Sequence, residues 1–208
     1  QRGVEEFEAQ NALSLYNEIF DVKTLFKRIG KELTTAVQQM QYISETLCLP
    51  QPAELKLETS GMFRKSAKTG QDPRMLMTWK LLAESKAKRQ KVSQPFNQER
   101  RNEVVAALVR ALHDNRSTEN TVKEILAAEG IAFCIEEKVD KASVDGYSYI
   151  EDGIPYIILT RRYDRIDNFA FALMHEVGHI YLHYLDGRRS DCKLSIPDYD
   201  NESAEEKE

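Results

Sequence analysis

Five consecutive residues, His175-Glu176-Val177-Gly178-His179, constrain the folding of this chain more than any other stretch. They lie in the run 168–185, which contains no helix breaker except Gly178. Because each residue of a helix turns the chain by about 100° and rises about 1.5 Å, the two histidines lie on one side, about 6 Å apart along the axis. Both imidazoles can therefore reach one metal ion, with Glu176 beside it. This H-E-x-x-H pattern is typical of zinc peptidases, which use two imidazole ligands and a carboxylate base.

The rest of the run predicts a helix that is buried along one side and reactive along the other. Gly178 costs about 1 kcal/mol of helix propensity relative to alanine, and we expect it to let another backbone approach closely. An ordinary amphipathic helix, whose histidines satisfy hydrogen bonds in the core, is the alternative interpretation. The apolar side comprises Phe169, Leu173, Val177, Ile180, Tyr181 and Tyr184, and the reactive side comprises His175, Glu176, His179 and His183.

Length and composition indicate a soluble globular protein with one large or two small domains. Of the 208 residues, 41% are hydrophobic and 30% are charged, and the net charge of −5 argues against a nucleic-acid surface over the whole chain. Cys48, Cys134 and Cys192 form no C-x-x-C pair, which fits a reducing cytoplasm and disfavours a disulfide framework. We expect no signal peptide, membrane span or membrane partner. Because the chain opens with Gln1 rather than Met, we expect part of a longer protein.

The spacing of apolar residues predicts that the first part of the chain is helical. Helical periodicity fills 4–48 and, after a basic loop or linker at 58–71, returns in a helix to about Gln90. Asp72 is the expected N-cap of that helix, with Pro73 at its first position. The expected domains are a helical connector region, 1–94, and a zinc peptidase domain, 95–208.

The second region changes from helical to strand periodicity at Gly130. Pro155, which cannot donate to a strand ladder, is expected at a strand start or edge. We expect an α+β fold of the zincin-like metallopeptidase type, in which a small, mostly antiparallel three-stranded sheet packs on the H-E-x-x-H helix. The predicted elements are helices 98–113 and 119–129, strands 131–135, 146–150 and 154–160 with a hairpin turn at Glu151-Asp152-Gly153, and helix 168–185.

Two histidines do not complete a catalytic zinc site, which uses three protein ligands and one open position. The metzincin pattern is disfavoured, because Leu182 stands where its glycine would be. His183 lies about 12 Å along the axis from His175, so we interpret it as a polar residue at the rim of the cleft or as a donor near the ligands. The downstream carboxylates that remain as candidates are Glu202, Glu205, Glu206 and Glu208, which alone would read as the solvated start of a helix.

The run from Phe169 to His183, together with Gly146-Tyr-Ser-Tyr149 and Ile157-Ile-Leu-Thr160, resembles the ImmA/IrrE family of zinc metallopeptidases. The resemblance covers about 95–208. That family pairs H-E-x-G-H-x-x-x-H with a glutamate on a later acidic helix, which implies Glu206 as the third Zn²⁺ ligand. Upstream, the chain is more weakly similar to the connector of members that carry an N-terminal helix-turn-helix, like HigA-type antitoxins and mobile-element regulators. A DNA partner is implied only through such a helix-turn-helix, expected before the first residue.

These observations predict a cytoplasmic zinc-dependent endopeptidase, and the family implies that it cleaves a transcriptional repressor. Glu176 is the expected general base, and His183, Tyr156 or Arg161 the expected donor to the developing oxyanion. An extended substrate is expected to add to an exposed edge of the sheet. Two alternatives remain: a non-cleaving DNA-linked regulator or antitoxin that uses the metal domain for sensing or partner binding, and a metal-free helical interaction domain. An intact Glu176 favours the enzyme, because a structural metal site needs no base.

Overall fold

The computed structural model describes residues 2–30, 32–60, 71–161, 165–182 and 194–195. Helices and one mixed sheet make this an α+β protein, as predicted. The chain divides into two compact units, residues 1–85 with 139–143 and residues 86–138 with 144–208. The domain limits expected from the sequence stay a prediction. No helix within the described ranges is both long enough and apolar enough to cross a membrane.

The first unit is helical, and local capping explains where several of its helices begin and end. The Asp21 carboxylate accepts a hydrogen bond from the Thr24 N–H at 2.7 Å, and Gly30, at φ 71°, ends the same helix. Asp72 caps the fifth helix as predicted, accepting from the Arg74 N–H at 2.9 Å. The helices are α1 (Arg2–Asn17), α2 (Val22–Ile29), α3 (Ala36–Glu45), α4 (Pro52–Glu58) and α5 (Pro73–Ala87).

The second unit contains the sheet and the helix that carries the H-E-x-x-H motif, in the predicted order. Residues 183–185, the predicted end of that helix, lie outside the described residues. The elements are a 3₁₀ turn (Gln98–Arg100), α6 (Arg101–Asp114), α7 (Thr118–Ala128), β1 (Ala132–Glu137), β2 (Gly146–Glu151), β3 (Ile154–Arg161), α8 (Ile166–Leu182) and β4 (Leu194–Ser195).

Among the described residues the sheet has four strands, one more than predicted, and it is mixed: two of its three strand pairs are antiparallel, as expected, and one is parallel. The strand order is β1-β3-β2-β4. β2 pairs with β3 and with β4 in antiparallel fashion, but β1 pairs with β3 in parallel, with Ala132 opposite Tyr156. The physical reason is burial. Ile157, Ile158 and Leu159 are all buried, so β3 is covered on both faces and lies in the interior of the sheet, between β1 and β2.

The hairpin between β2 and β3 has the predicted turn. Asp152 and Gly153 both have positive φ, 50° and 76°, which is the conformation of a two-residue type I′ turn. Glu151 pairs with Ile154 across it. Pro155 is the second residue of β3, and pairing with β1 begins one residue later, at Tyr156. Its missing N–H therefore lies at a strand start, as predicted.

Alternation along the strands divides the sheet into two faces. Ile157 and Leu159 pack with apolar residues of α6, α7 and α8 in one buried cluster, so their face is the one that meets α8. Because Gly146 lies opposite Leu159 and Ser148 opposite Ile157, both β2 residues share that face. The other face carries a stack of buried aromatic rings, formed by Tyr147, Tyr149 and Tyr156.

Candidate metal centre

α8 is buried on more sides than its periodicity predicts. Its apolar side packs into the core, but Glu176 is also fully buried and His179 is nearly so, whereas His175 is partly exposed. No described residue approaches Gly178 in the way expected: a side-chain carbon there would meet none of their atoms within 4 Å. Among the described residues, the backbone of β2 approaches α8 closely at Glu176. Gly146 is the β2 residue at this contact.

The two histidine rings converge at their Nε2 atoms, which lie 3.0 Å apart. The ring centroids are separated by 4.5 Å and the planes cross at 83°. Two imidazoles on one tetrahedral zinc ion, each about 2.0–2.1 Å from it, place their nitrogens about 3.3 Å apart. His175 and His179 therefore fit a shared ion after a small side-chain adjustment. A hydrogen bond between neutral rings, one donating and one accepting, would have the same length.

The Glu176 carboxylate is enclosed between α8 and β2. Its Oε2 accepts a hydrogen bond from the Ser148 hydroxyl at 2.6 Å, and Ser148 is itself fully buried. On the other side, a side-chain carbon built on Gly146 would lie 2.6 Å from Glu176 Oε1 and 2.8 Å from its Cγ. A side chain at residue 146 would therefore displace the carboxylate from this position.

Phe171 lies one turn before His175 on the outer side of α8. Its ring stacks on the imidazole with centroids 6.1 Å apart and planes inclined by 16°. The side chain is nevertheless 75% exposed. The candidate ligand His175 thus has an aromatic ring against one face.

The structure removes Tyr156 from the candidate oxyanion donors. It lies on the sheet face away from α8, stacked on Tyr149 at 4.7 Å, and burial raises the pKa of its hydroxyl, with Glu151 adding to the effect. Arg161 ends β3 and pairs with Glu119 at 2.7 Å. Its guanidinium is half-exposed, so this pair holds it only weakly.

The predicted third ligand lies outside the described residues. His183 and Glu206, and the alternatives Glu202, Glu205 and Glu208, all fall outside the described ranges. Within those ranges, no group of three or more His, Cys, Asp or Glu side chains is arranged to hold a metal ion. Two converging imidazoles and a buried carboxylate are what the described part of the chain brings together.

Ser148 and Gly146 are the residues of this centre that the sequence analysis missed. The available signal was a glycine at the start of a strand, which often marks a close approach of another group. The second signal was a serine between two tyrosines, since alternation along a strand turns the serine to the face opposite the tyrosines.

No protein-family model, no curated protein and no solved structure matches this chain. The likeness to the ImmA/IrrE family therefore stays a prediction.

Proposed function

We propose that this protein is a zinc-dependent endopeptidase with a zincin-like domain of the ImmA/IrrE type. The observation that supports this most is the 3.0 Å approach of the His175 and His179 Nε2 atoms on the helix that also carries the buried Glu176. A helix that only packs into a core needs neither converging imidazoles nor a carboxylate in an apolar environment, where an unpaired charge is costly.

Two of the proposed ligands come from this arrangement, and the third is the one that the family resemblance implies. His175 and His179 would hold Zn²⁺ through Nε2, and Glu206 is the proposed third ligand. When bound, zinc supplies a Lewis acid that polarises a carbonyl and lowers the pKa of a water molecule to about 7.

The remaining chemistry belongs to the side chains. Glu176 accepts a proton from the attacking water, and the water oxygen bonds to the carbonyl carbon of the peptide. The C–N bond then breaks, and Glu176 returns the proton to the leaving amine nitrogen, so it ends in its starting state. His183 is the proposed donor to the oxyanion, with Arg161 as the alternative.

The proposed substrate is a transcriptional repressor in the cytoplasm, and DNA contact is proposed only through an N-terminal helix-turn-helix. An extended peptide is proposed to add as a strand to the sheet. β4 pairs with Gly146 and Tyr147, so a peptide on that edge would compete with it next to Glu176.

A second function, a non-cleaving regulator or antitoxin, is favoured by one observation. Glu176 is fully buried and bound by a serine hydroxyl, as a structural carboxylate would be. On this view the metal domain senses or binds a partner, and the base has no chemical role.

Replacing Glu176 by glutamine separates the two functions. An amide cannot accept the proton of water, so Glu176→Gln should keep its zinc, measured by plasma emission, while cleavage falls by about 10²–10⁴. Cleavage is measured as new amino termini in a peptide library prepared from a bacterial proteome. Wild-type protein that binds zinc and cuts nothing would favour the regulator, and full cleavage by Glu176→Gln would remove the role proposed for this carboxylate.

A further inference from the structure

Ser148 is buried in β2 for a reason that strand packing does not explain. Its neighbours in sequence, Tyr147 and Tyr149, turn to the far face, and Ser148 turns to α8. Across the hairpin it lies opposite Ile157, a core residue, so an apolar side chain would suit this position. The hydroxyl instead donates to Glu176 Oε2 at 2.6 Å, within the range of short, charge-assisted bonds to carboxylates.

Gly146 encloses the Glu176 carboxylate on the side of its other oxygen, Oε1. Its φ is not positive, unlike those of Gly30, Gly130 and Gly153, so backbone conformation does not require glycine here. The position of the carboxylate favours glycine instead, because a side-chain carbon at residue 146 would lie 2.6 Å from Glu176 Oε1 and would push it aside. One oxygen is thus tied by a hydroxyl and the other is confined by the backbone of the same strand.

We propose that Ser148 is a positioning residue for the proteolytic reaction. Its hydroxyl holds the Glu176 carboxylate in the one orientation from which it accepts the proton of the attacking water and returns it to the leaving nitrogen. The inference rests on the proposed function. Ser148 donates a hydrogen bond throughout and neither loses nor gains a proton.

The physical reason is the flexibility of glutamate. Three rotatable bonds separate the backbone from the carboxylate, and a general base that is misplaced by about 1 Å can cost a hundredfold in rate. Residues that orient such a group typically contribute about 10–100-fold to activity. Helix α8 fixes the Cα of Glu176, and the Ser148 hydroxyl of β2 supplies a contact that orients its carboxylate.

The test uses the full chain loaded with zinc, and compares Ser148→Ala, which removes the donor, with Ser148→Thr, which keeps it. Ser93→Ala is the matched control, because Ser93 is exposed. The probe is a synthetic peptide copied from the sequence that wild-type protein cuts fastest in a bacterial peptide library. We expect Ser148→Ala to keep its zinc and its KM within about twofold while kcat falls about 10–100-fold, and Ser148→Thr to recover most of the loss.

A second measurement does not depend on cleavage. If the hydrogen bond exists in solution, Ser148→Ala lowers the urea midpoint of the wild type but not that of Glu176→Ala, because the partner is already gone. Equal shifts in both backgrounds would overturn the proposal.

The remaining outcomes separate this inference from the proposed function. Suppose that wild type cleaves, that the urea midpoints are coupled, and that kcat is unchanged in Ser148→Ala. Ser148 then has only a structural role, so the positioning role is overturned and the proposed peptidase activity stands. Absence of cleavage by zinc-loaded wild type would overturn the peptidase and the positioning role together.

Discussion

At the scale of single residues, the burial of Glu176 is an energetically costly feature of this protein. A carboxylate in an apolar environment is costly unless it is bound, and an unpartnered one costs several kcal/mol. The Ser148 hydroxyl supplies a bond, and Gly146 supplies the space. A chain selected only for stability would place an apolar side chain here, so the buried carboxylate supports the role proposed for Glu176.

Cys134 is the second residue with an unusual environment, and it leads to a labelling prediction. Burial raises the pKa of its thiol to about 12, with Lys86 opposing and Glu136 adding to the shift. At pH 8 such a thiol is about one part in ten thousand thiolate, the reactive form. In a Cys192→Ser background, we expect Ellman's reagent to modify the exposed Cys48 quickly and Cys134 only after unfolding in urea. Rapid reaction of two thiols in the folded protein would contradict this.

At the scale of elements, the connection from α7 to β1 is decided by one glycine. Gly130 has φ 77°, and a side-chain carbon there would lie 2.5–2.7 Å from backbone atoms of Gln94 and Phe96. The chain segment at 94–96 therefore passes directly against the end of α7, where helical period changes to strand period.

Because of this contact, we expect alanine to destabilise the protein more at Gly130 than at Gly153. Gly130→Ala adds both a strained φ and a clash with backbone, and should lower the free energy of unfolding by about 2–4 kcal/mol. Gly153→Ala has a similar φ, 76°, but meets nothing within 4 Å among the described residues, and should cost only about 1–2 kcal/mol. Urea unfolding measures both. Equal costs would mean that the 94–96 segment moves away freely.

At the scale of the whole molecule, the proposed metal links the chemistry of α8 to the stability of the fold. A ligand that binds only the folded state stabilises it by about 2.7 kcal/mol at a free concentration one hundred times its Kd. For a chain of this length, that corresponds to a rise in Tm of about 5–10 °C.

We therefore expect zinc to raise the Tm of the wild-type protein, and EDTA to reverse the rise. His179→Ala should lose most of the effect, because two remaining ligands do not hold zinc tightly. His113→Ala is the control, since this histidine lies exposed on α6. Differential scanning calorimetry with and without zinc checks the prediction. An equal rise in both variants would place the metal elsewhere.

The sequence by itself determined the features that depend on neighbours along the chain. The caps at Asp21 and Asp72, the type I′ turn at Asp152-Gly153, the order of helices and strands, and the convergence of His175 and His179 all follow from local periodicity and backbone preference. These interactions span at most a few residues, so the pattern of residue types carries the necessary information.

Only the tertiary structure decided which distant residues meet. Periodicity predicted β1 and β3 as strands but not that they pair in parallel, and it could not exclude Tyr156 from the centre or assign Ser148 and Gly146 to Glu176. Each of these depends on strand order and register, which are set by burial of both faces of β3 across long chain separations. A shift of register by one residue would turn Ser148 away from α8, and no local pattern records that choice.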